Sequence, residues 1–197
     1  MATSTQRVFV VSGPSGAGKS TLIREVLRQD PELRLSISST TRAPRQGEED
    51  GRDYFFIARQ DFERKIEQGG FLEWARVYDN YYGSSRAHVE DILAAGQHVL
   101  MDVDTQGAIS IKRLCTGAVF IFIMPPSLQV LEERLRDRGS ETEESFQRRM
   151  ARAQHEISFK DRYDCVIVNT HIDTAVEELR RVLASEKRKN IPFDCGS

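Results

Sequence analysis

Short runs of aliphatic residues alternate along the chain with longer segments of mixed polarity. Unbroken apolar runs of this kind are typical of strands that are buried on both faces of a sheet. They predict strands at residues 7–12, 35–38, 98–102, 119–123 and 165–168. The intervening segments predict helices at 19–30, 86–95, 106–114 and 173–189. Because strands and helices alternate, we expect an α/β fold with a parallel sheet core covered by helices on both faces.

Residues 38–85 interrupt this alternation with a short, polar and aromatic pattern. Strands are expected at 53–57 and 71–78, and a helix at 61–68 is expected to end at the two glycines that follow it. This pattern predicts a small β-rich lobe inserted into the core.

Residues 125–162 form a second interruption, with two charged helices expected to meet at 138–140. Ser140 and Glu143 have the spacing of a capping box at the start of the second helix. Because this pair of helices has little apolar surface, we expect it to project from the core as a mobile flap. The rest of the single domain of residues 1–197 is expected to be a core at 7–37, 86–124 and 163–189 and a loose tail at 190–197.

Composition and charge exclude several classes of partner. The 197 residues are 39% hydrophobic and carry a formal net charge of −2, which argues against bulk electrostatic binding to nucleic acid or to an anionic membrane. No apolar run approaches the roughly 18 residues of a membrane-spanning helix, and the first residues lack the apolar core of a signal peptide. Three cysteines far apart in the sequence, Cys115, Cys165 and Cys195, predict reduced thiols in a cytoplasmic protein rather than a disulfide or metal framework.

The strand at 7–12 runs directly into a G-x-x-x-x-G-K-[ST] sequence at residues 13–20, which we call the P-loop. Its glycines allow backbone N–H groups to point at phosphate oxygens, and the helix that follows adds the positive end of its dipole. Lys19 can then reach the outer phosphates, and the Ser20 hydroxyl can ligate Mg²⁺. A chance match occurs in roughly one such chain in a hundred, so the motif predicts a nucleoside triphosphate site. The candidate ATP-binding residues are Gly13, Ser15, Gly16, Ala17, Gly18, Lys19, Ser20 and Thr21.

Two arginines after the strand at 35–38 form a second candidate phosphate site. Arg42 and Arg45 lie near the expected carboxyl edge of the sheet, where open α/β folds place their ligands. A guanidinium presents a planar fork of donors that fits phosphate, although a solvated polar loop is the simpler alternative. Two phosphate sites at one edge favour a kinase that acts on an already phosphorylated acceptor.

Residues 38–56, with the pattern S-S-T-T-R-x-P-R-x-G-E-x-x-G-x-x-Y-x-F, resemble the GMP-binding segment of guanylate kinases. Further matches follow in order at 71–74, 80–84, 102–107 and 142–145, so the resemblance covers about residues 7–187. It implies a P-loop core with an inserted GMP-binding lobe at 38–85 and a helical lid at 125–162. The implied reaction converts ATP and GMP, or dGMP, to ADP and the nucleoside diphosphate with Mg²⁺, in purine nucleotide metabolism.

The resemblance also implies roles for individual residues. The guanine base would be held by Ser38, Glu73, Ser84 and Asp102, and the GMP phosphate by Arg42, Arg45, Tyr54 and Tyr82. Arg134, Arg138 and Asn169 would join the ATP site, and catalysis would depend on Lys19, Arg45, Arg138 and Arg149.

Glu73 has the chemistry that guanine recognition requires. Guanine presents its N1–H and exocyclic amine side by side, so that one carboxylate can accept both, whereas adenine would leave part of the carboxylate unpaired. The alternative is an exposed strand carboxylate. Asp102 could lie near Mg²⁺ or could face the acceptor nucleotide, and both roles stay open. Asp104 is either a site residue or a helix N-cap. Tyr54 and Tyr82 could instead be ordinary aromatic packing residues. The charged helix faces of residues 125–162 could likewise be a solvated surface.

Three other functions compete with the kinase. Some guanylate-kinase-like domains are non-catalytic modules that bind phosphoproteins, but they typically lose the P-loop. A GTP-hydrolysing switch would carry an Asn-Lys-x-Asp motif, which this sequence lacks. A kinase of another small phosphate ester is disfavoured by Glu73 and by the intact acceptor segment. Either a monomer or a homo-oligomer fits the sequence.

Overall fold

The computed structural model describes residues 6–136, 142–189 and 191–196. Its strands are β1 (Val8–Ser12), β2 (Leu33–Ser36), β3 (Ser39–Thr40), β4 (Phe55–Phe56), β5 (Phe71–Val77), β6 (Asn80–Ser85), β7 (His98–Asp102), β8 (Cys115–Thr116), β9 (Val119–Met124), β10 (Cys165–Val168) and β11 (Asp194–Cys195). Its helices are α1 (Lys19–Gln29), α2 (Arg59–Glu67), α3 (Arg86–Ala94), α4 (Thr105–Leu114), α5 (Leu128–Arg136), α6 (Glu143–Ile157) and α7 (Ile172–Lys187), with a 3₁₀ turn at Lys160–Arg162. None of these helices is long and apolar enough to cross a membrane.

Five parallel strands form the central sheet in the order β10-β9-β1-β7-β2. Successive side chains of a strand point to opposite faces, and β1 follows this rule with fully buried residues on both sides. Phe9 and Val11 pack with residues of α1 and α7, whereas Val8 and Val10 pack with residues of α3 and α4. The predicted α/β fold, a parallel sheet with helices on both faces, is therefore confirmed.

A second, four-stranded sheet has the order β4-β3-β6-β5. It has an aromatic core of its own, because the completely buried ring of Phe62 on α2 stacks on Phe71 at 4.2 Å and on Tyr81 at 5.2 Å between ring centroids. Its strands β3 and β6 are antiparallel, while β3 and β4 are parallel. This sheet places residues 38–85 beside the carboxyl ends of β2 and β7.

The chain crosses from one sheet to the other earlier than the sequence predicted. The strand expected at 35–38 lies instead at Leu33–Ser36, where Leu33 is buried and pairs with His98. Ser38 already lies beside the second sheet, because its carbonyl accepts a hydrogen bond from the Phe55 amide of β4 at 2.9 Å. The polar pattern of residues 36–40 hides this change of sheet, because both strands are short.

Helices α5 and α6 have more apolar surface than the sequence suggested. A small cluster between the two helices buries Leu131, Leu135, Phe146 and Ala153. The expectation that this pair of helices has little apolar surface is therefore wrong. The capping box at Ser140 and Glu143 is also wrong, because Thr142 is the N-cap of α6 and accepts a hydrogen bond from the Ser145 amide. Ser140 itself, with the predicted junction at 138–140, lies outside the described residues.

The C-terminal segment is not the loose tail that was expected. Strand β11 pairs antiparallel with β8, and the Arg86 guanidinium donates to the Cys195 carbonyl at 2.9 Å. Cys195 stands directly opposite Cys115 in this pairing, and the two form a disulfide. The prediction of three reduced thiols is therefore wrong for this pair, and only Cys165 is free. The sequence conceals the disulfide because its partners are 80 residues apart.

Candidate active site

The P-loop joins β1 to α1 at the carboxyl edge of the central sheet. Gly13 and Gly18 have φ values of +144° and +89°, a region that favours glycine. A Cβ at Gly13 would overlap the Ile123 carbonyl, and one at Gly18 would overlap the Asn169 amide. The loop therefore lies so close to β9 and to the end of β10 that neither glycine tolerates a side chain. The Lys19 ammonium bends back over the loop and donates to the Gly13 carbonyl at 2.7 Å.

A cavity of about 410 Å³ lies over this loop. The residues that line it come from the P-loop and the start of α1, from the residue before α4 and from α6: Gly13, Pro14, Ser15, Gly16, Gly18, Lys19, Ser20, Thr21, Asp104, Arg149, Arg152, Ala153 and Glu156. All the predicted P-loop residues except Ala17 are among them. The Ala17 side chain is instead completely buried in the core.

Asn169 and Arg134 support the P-loop from behind rather than lining this cavity. The buried Asn169 amide donates to the Ala17 carbonyl at 2.8 Å. Arg134 on α5 in turn donates to the Asn169 carbonyl at 3.0 Å. In this structure, both predicted ATP-site residues hold the shape of the loop, and Asn169 does so from the turn after β10.

Helix α6 brings two arginines to the opposite wall of the cavity. Arg149 donates to the Ser15 hydroxyl of the P-loop at 3.1 Å. Arg152 lies 3.4 Å from an Asp104 carboxylate oxygen and 3.0 Å from the carboxylate of Glu156, which is buried. Arg138, the other predicted lid arginine, lies outside the described residues.

Sequence reasoning missed Arg152 and Glu156 as lining residues. Their signal is spacing, because residues 149, 152, 153 and 156 recur at the intervals that place side chains on one helix face. Asp104 does serve as the N-cap of α4, with one carboxylate oxygen accepting from the Gly107 amide at 2.8 Å. Its other oxygen meets Arg152, so it is both a cap and part of the cavity wall.

The predicted acceptor arginines differ in how they are held. The two terminal nitrogens of the Arg42 guanidinium each donate to the Glu48 carboxylate at 2.9 Å, and this bidentate hydrogen bond raises the pKa of Arg42 above its usual range. Arg45 is exposed, and its backbone amide donates to the same Glu48 carboxylate at 2.7 Å. One carboxylate thus holds the position of Arg42 and the backbone of Arg45 together.

Two tyrosine rings lie beside the Arg42 guanidinium. The guanidinium carbon of Arg42 lies 5.5 Å from the Tyr54 ring centroid, and the Tyr54 and Tyr82 rings meet edge to face at 6.0 Å. Burial raises the pKa of the Tyr54 hydroxyl, so it is a neutral hydrogen-bond donor at physiological pH. The structure therefore brings Arg42, Tyr54 and Tyr82 together, with Arg45 on the adjoining exposed loop.

Glu73 on β5 is held by Ser84 on the neighbouring strand β6. The buried Ser84 hydroxyl donates to Glu73 Oε1 at 2.6 Å. Burial raises the pKa of the Glu73 carboxyl, and the hydrogen bond from Ser84 acts in the opposite direction. Ser84 thus counters the effect of burial through both its side chain and its backbone.

Asp102 lies between the two groups, at the end of β7. Burial raises the pKa of its carboxyl, and the positive charge of Lys19 opposes that rise. The charge that acts on Asp102 is thus on the P-loop. Strand β7 also pairs with β2, which leads to the second sheet. Ser38, at the crossing between the two sheets, is half-buried.

A P-loop at the edge of a parallel sheet, facing a group of arginine, tyrosine and carboxylate side chains on a second sheet, defines a P-loop nucleotide-binding protein of the phosphotransferase type. Residues 5–186 match the guanylate kinase family model, and the chain belongs to the guanylate kinase family.

Several relatives resemble the chain over nearly its whole length. It is 48% identical to the guanylate kinase of Rickettsia bellii, over 92% of this chain and 95% of that protein. The guanylate kinase of Carboxydothermus hydrogenoformans is 50% identical, over 92% and 89% of the two chains. The crystal structure of guanylate kinase from Anaplasma phagocytophilum superposes with a TM-score of 0.73 at 35% identity, covering 94% of this chain and 88% of that one.

Proposed function

We propose that this protein transfers the γ-phosphoryl group of ATP to GMP, and also to dGMP, giving ADP and the nucleoside diphosphate. One observation carries the proposal. A complete P-loop under a cavity of about 410 Å³ occurs in the same chain as Glu73, a half-buried carboxylate held by Ser84 beside an arginine and tyrosine group. The first feature suits a triphosphate donor, and the second suits a guanine base that carries its own phosphate.

On the donor side, the P-loop amides and Lys19 would bind the ATP phosphates. The Lys19 ammonium needs only to leave the Gly13 carbonyl, 2.7 Å away, to reach the outer phosphates. Arg134 and Asn169 are assigned to the same site, where they fix the loop through the Ala17 and Asn169 carbonyls. A loop fixed in advance does not have to reorganise as the transition state forms.

On the acceptor side, Glu73 would accept the guanine N1–H and exocyclic amine, with Ser38, Ser84 and Asp102 completing the base site. Arg42, Arg45, Tyr54 and Tyr82 would hold the GMP phosphate. Arg42 faces Glu48 in the structure, so GMP binding requires its guanidinium to share or exchange that partner. The acceptor oxygen is an anion, so the reaction needs no strong general base.

Helix α6 would supply positive charge over the migrating phosphoryl group. Arg149 already contacts the P-loop through Ser15, and we assign Arg138, on the predicted junction before α6, to the same task. With Arg45 from the acceptor side, these groups would bridge donor and acceptor. The segments would then act as a core (7–37, 86–124 and 163–189), a GMP-binding lobe (38–85) and a lid (125–162).

The available oxygen ligands fit Mg²⁺. No group of three or more His, Cys, Asp or Glu side chains lies together in the described ranges. Mg²⁺ is commonly held by one or two protein oxygens together with substrate phosphates and water, and the exposed Ser20 hydroxyl lines the cavity. We therefore assign Ser20 as the protein ligand. The bound metal would neutralise charge on the β- and γ-phosphates.

The alternative of a non-catalytic phosphoprotein-binding module is disfavoured by the intact P-loop and by bacterial relatives that are named guanylate kinases. The proposed partners are ATP and GMP. We also propose a cytoplasmic location, where these nucleotides are available, and either a monomer or a homo-oligomer. Neither nucleic acid nor a membrane has a role in this proposal.

A coupled assay of ADP production tests the proposal. Purified protein with ATP and Mg²⁺ is offered GMP, dGMP, AMP, CMP or UMP, and ADP is expected with the two guanine nucleotides. Lys19→Met should lower kcat by orders of magnitude with little change in stability, because this half-buried ammonium at the start of α1 contributes mainly to the transition state. Near-normal turnover by a folded Lys19→Met protein would contradict the assignment.

A further inference from the structure

Besides Ser84, Glu73 has a second close neighbour, which the proposed guanine contacts do not involve. Gly107, in the first turn of α4, lies against the carboxylate so closely that a Cβ at this position would be 2.9 Å from Glu73 Oε2. The same Cβ would be 3.2 Å from Cδ and 3.3 Å from Cγ of Glu73. Two of these three distances involve the carboxylate group itself, so the glycine leaves space for that group in particular.

The backbone of Gly107 does not itself require glycine. Its φ is outside the left-handed region that several other glycines of the chain occupy, and it lies inside a regular helix. Glycine weakens a helix interior relative to alanine. Nor does its amide need a glycine, because the hydrogen bond from its N–H to the Asp104 carboxylate is available to any residue except proline. The contact with Glu73 is the feature of this position that alanine would disturb.

The two neighbours hold the carboxylate from opposite ends. The Ser84 hydroxyl donates to Oε1 at 2.6 Å, while the unsubstituted Cα of Gly107 faces Oε2. A register shift in the β5–β6 pairing between Phe71 and Glu73 brings Glu73 opposite Ser84. Because one oxygen is bonded and the other is confined, the plane of the carboxylate is set before any ligand arrives.

We propose that Gly107 is a specificity-determining residue that acts by positioning Glu73, and this proposal rests on the proposed function. A bidentate contact to the guanine N1–H and exocyclic amine needs both carboxylate oxygens in the plane of the base. A methyl group at position 107 displaces Oε2 and turns the carboxylate out of that plane. One hydrogen bond to the base then survives in place of two.

The variant Gly107→Ala tests this positioning role with GMP and IMP as acceptors. Hypoxanthine, the base of IMP, keeps the N1–H of guanine and lacks its exocyclic amine, so the ratio of kcat/KM for GMP to that for IMP measures the second hydrogen bond. We expect kcat/KM for GMP to fall by about ten- to a hundredfold, with a much smaller fall for IMP. The KM for ATP should stay unchanged, and Tm should not fall, because alanine favours the helix.

Ser110→Ala is the matched control. Ser110 lies on the same helix and is exposed, and its hydroxyl donates to the Gln106 carbonyl at 2.9 Å, so its substitution changes helix propensity without touching Glu73. It should leave the GMP to IMP ratio at the wild-type value. If Gly107→Ala leaves the ratio of kcat/KM for GMP to that for IMP unchanged, whether or not both rates fall, the proposal is wrong.

The use of two acceptors separates displacement of the carboxylate from general damage, because a loss of folded protein would lower the rates with GMP and IMP by the same factor. Failure of the wild-type protein to use GMP at all would instead contradict the proposed function, so the two failures are distinguishable.

Discussion

Arg149 on α6 donates a hydrogen bond to the Ser15 hydroxyl of the P-loop at 3.1 Å. The helix that follows the proposed lid junction therefore contacts the P-loop directly. A triphosphate bound by the loop would be within reach of the same guanidinium. This contact supports our proposal that α6, although a charged helix, is part of the active site.

Arg149→Ala should lower kcat by about 10²–10³-fold, the range seen when one preorganised donor to a transition-state charge is removed. The KM for GMP should change far less, because the arginine is needed chiefly when the phosphoryl group migrates. The control is Arg148→Ala, since Arg148 is the exposed neighbour that pairs with Glu144 at 2.8 Å. Steady-state kinetics that show an altered KM alone would make Arg149 a ground-state ligand.

Arg42→Ala should change the KM for GMP more than it changes kcat, the reverse of Arg149→Ala. We expect the KM for GMP to rise about ten- to a hundredfold, which corresponds to the roughly 1.5–3 kcal/mol of a hydrogen bond to a charged group. Arg52→Ala is a matched control, because Arg52 lies in the same segment but its exposed side chain pairs with Glu49 and Asp53. Equal effects of the two substitutions would mean that the segment acts through bulk charge.

Glu73→Gln should make the protein more stable at neutral pH while weakening GMP use. Burial raises the pKa of Glu73 above its unfolded value, so folding favours the protonated form. The ionised form costs stability at pH values above that raised pKa, and this cost is absent below the ordinary glutamate pKa of about 4.3. The variant's advantage in Tm should therefore appear as pH rises and vanish in acid.

Thermal unfolding from pH 4 to pH 8 provides the measurement. The same titration should appear in catalysis, because guanine needs an ionised acceptor: wild-type kcat/KM for GMP should fall as pH drops through the raised pKa. The Gln variant should lack this limb of the profile. A constant difference in Tm at every pH would show that Glu73 does not titrate in this range.

Reduction of the Cys115–Cys195 disulfide should destabilise the protein. Its partners are 80 residues apart, and a disulfide typically contributes about 2–4 kcal/mol to the free energy of unfolding. Cys195→Ser should reproduce the loss without reductant, whereas Cys165→Ser, at the free cysteine, should not. Urea unfolding with and without reductant measures the difference. Identical curves for the oxidised and reduced wild type would contradict a disulfide in the folded protein.

The features that the sequence predicts well are contiguous. The P-loop is a run of eight residues between a strand and a helix, and the central strands are unbroken apolar runs, so local pattern is enough to identify both. The resemblance to guanylate kinases adds residues on different strands, such as Glu73 and Ser84, which meet because β5 and β6 pair.

The features that it missed depend on distant pairings or on few residues. The disulfide and the ordered C-terminal segment arise from a two-residue pairing of β8 with β11, too short to leave a pattern. The cluster of Leu131, Leu135 and Phe146 is small enough to be hidden among charged neighbours. Arg152 and Glu156 look like an ordinary helix ion pair until the fold sets them over the P-loop.

The acceptor preference of wild type and Glu73→Gln tests the central claim most directly. The measurement is kcat/KM for GMP and for AMP, by ADP production from ATP, in both proteins. Wild type should strongly prefer GMP. The variant should lose roughly 2–4 kcal/mol of that transition-state stabilisation, because a charged hydrogen bond disappears and a donor faces the guanine donors. Its preference for GMP over AMP should fall accordingly. An unchanged ratio, or no GMP-dependent ADP from wild type, would contradict the account.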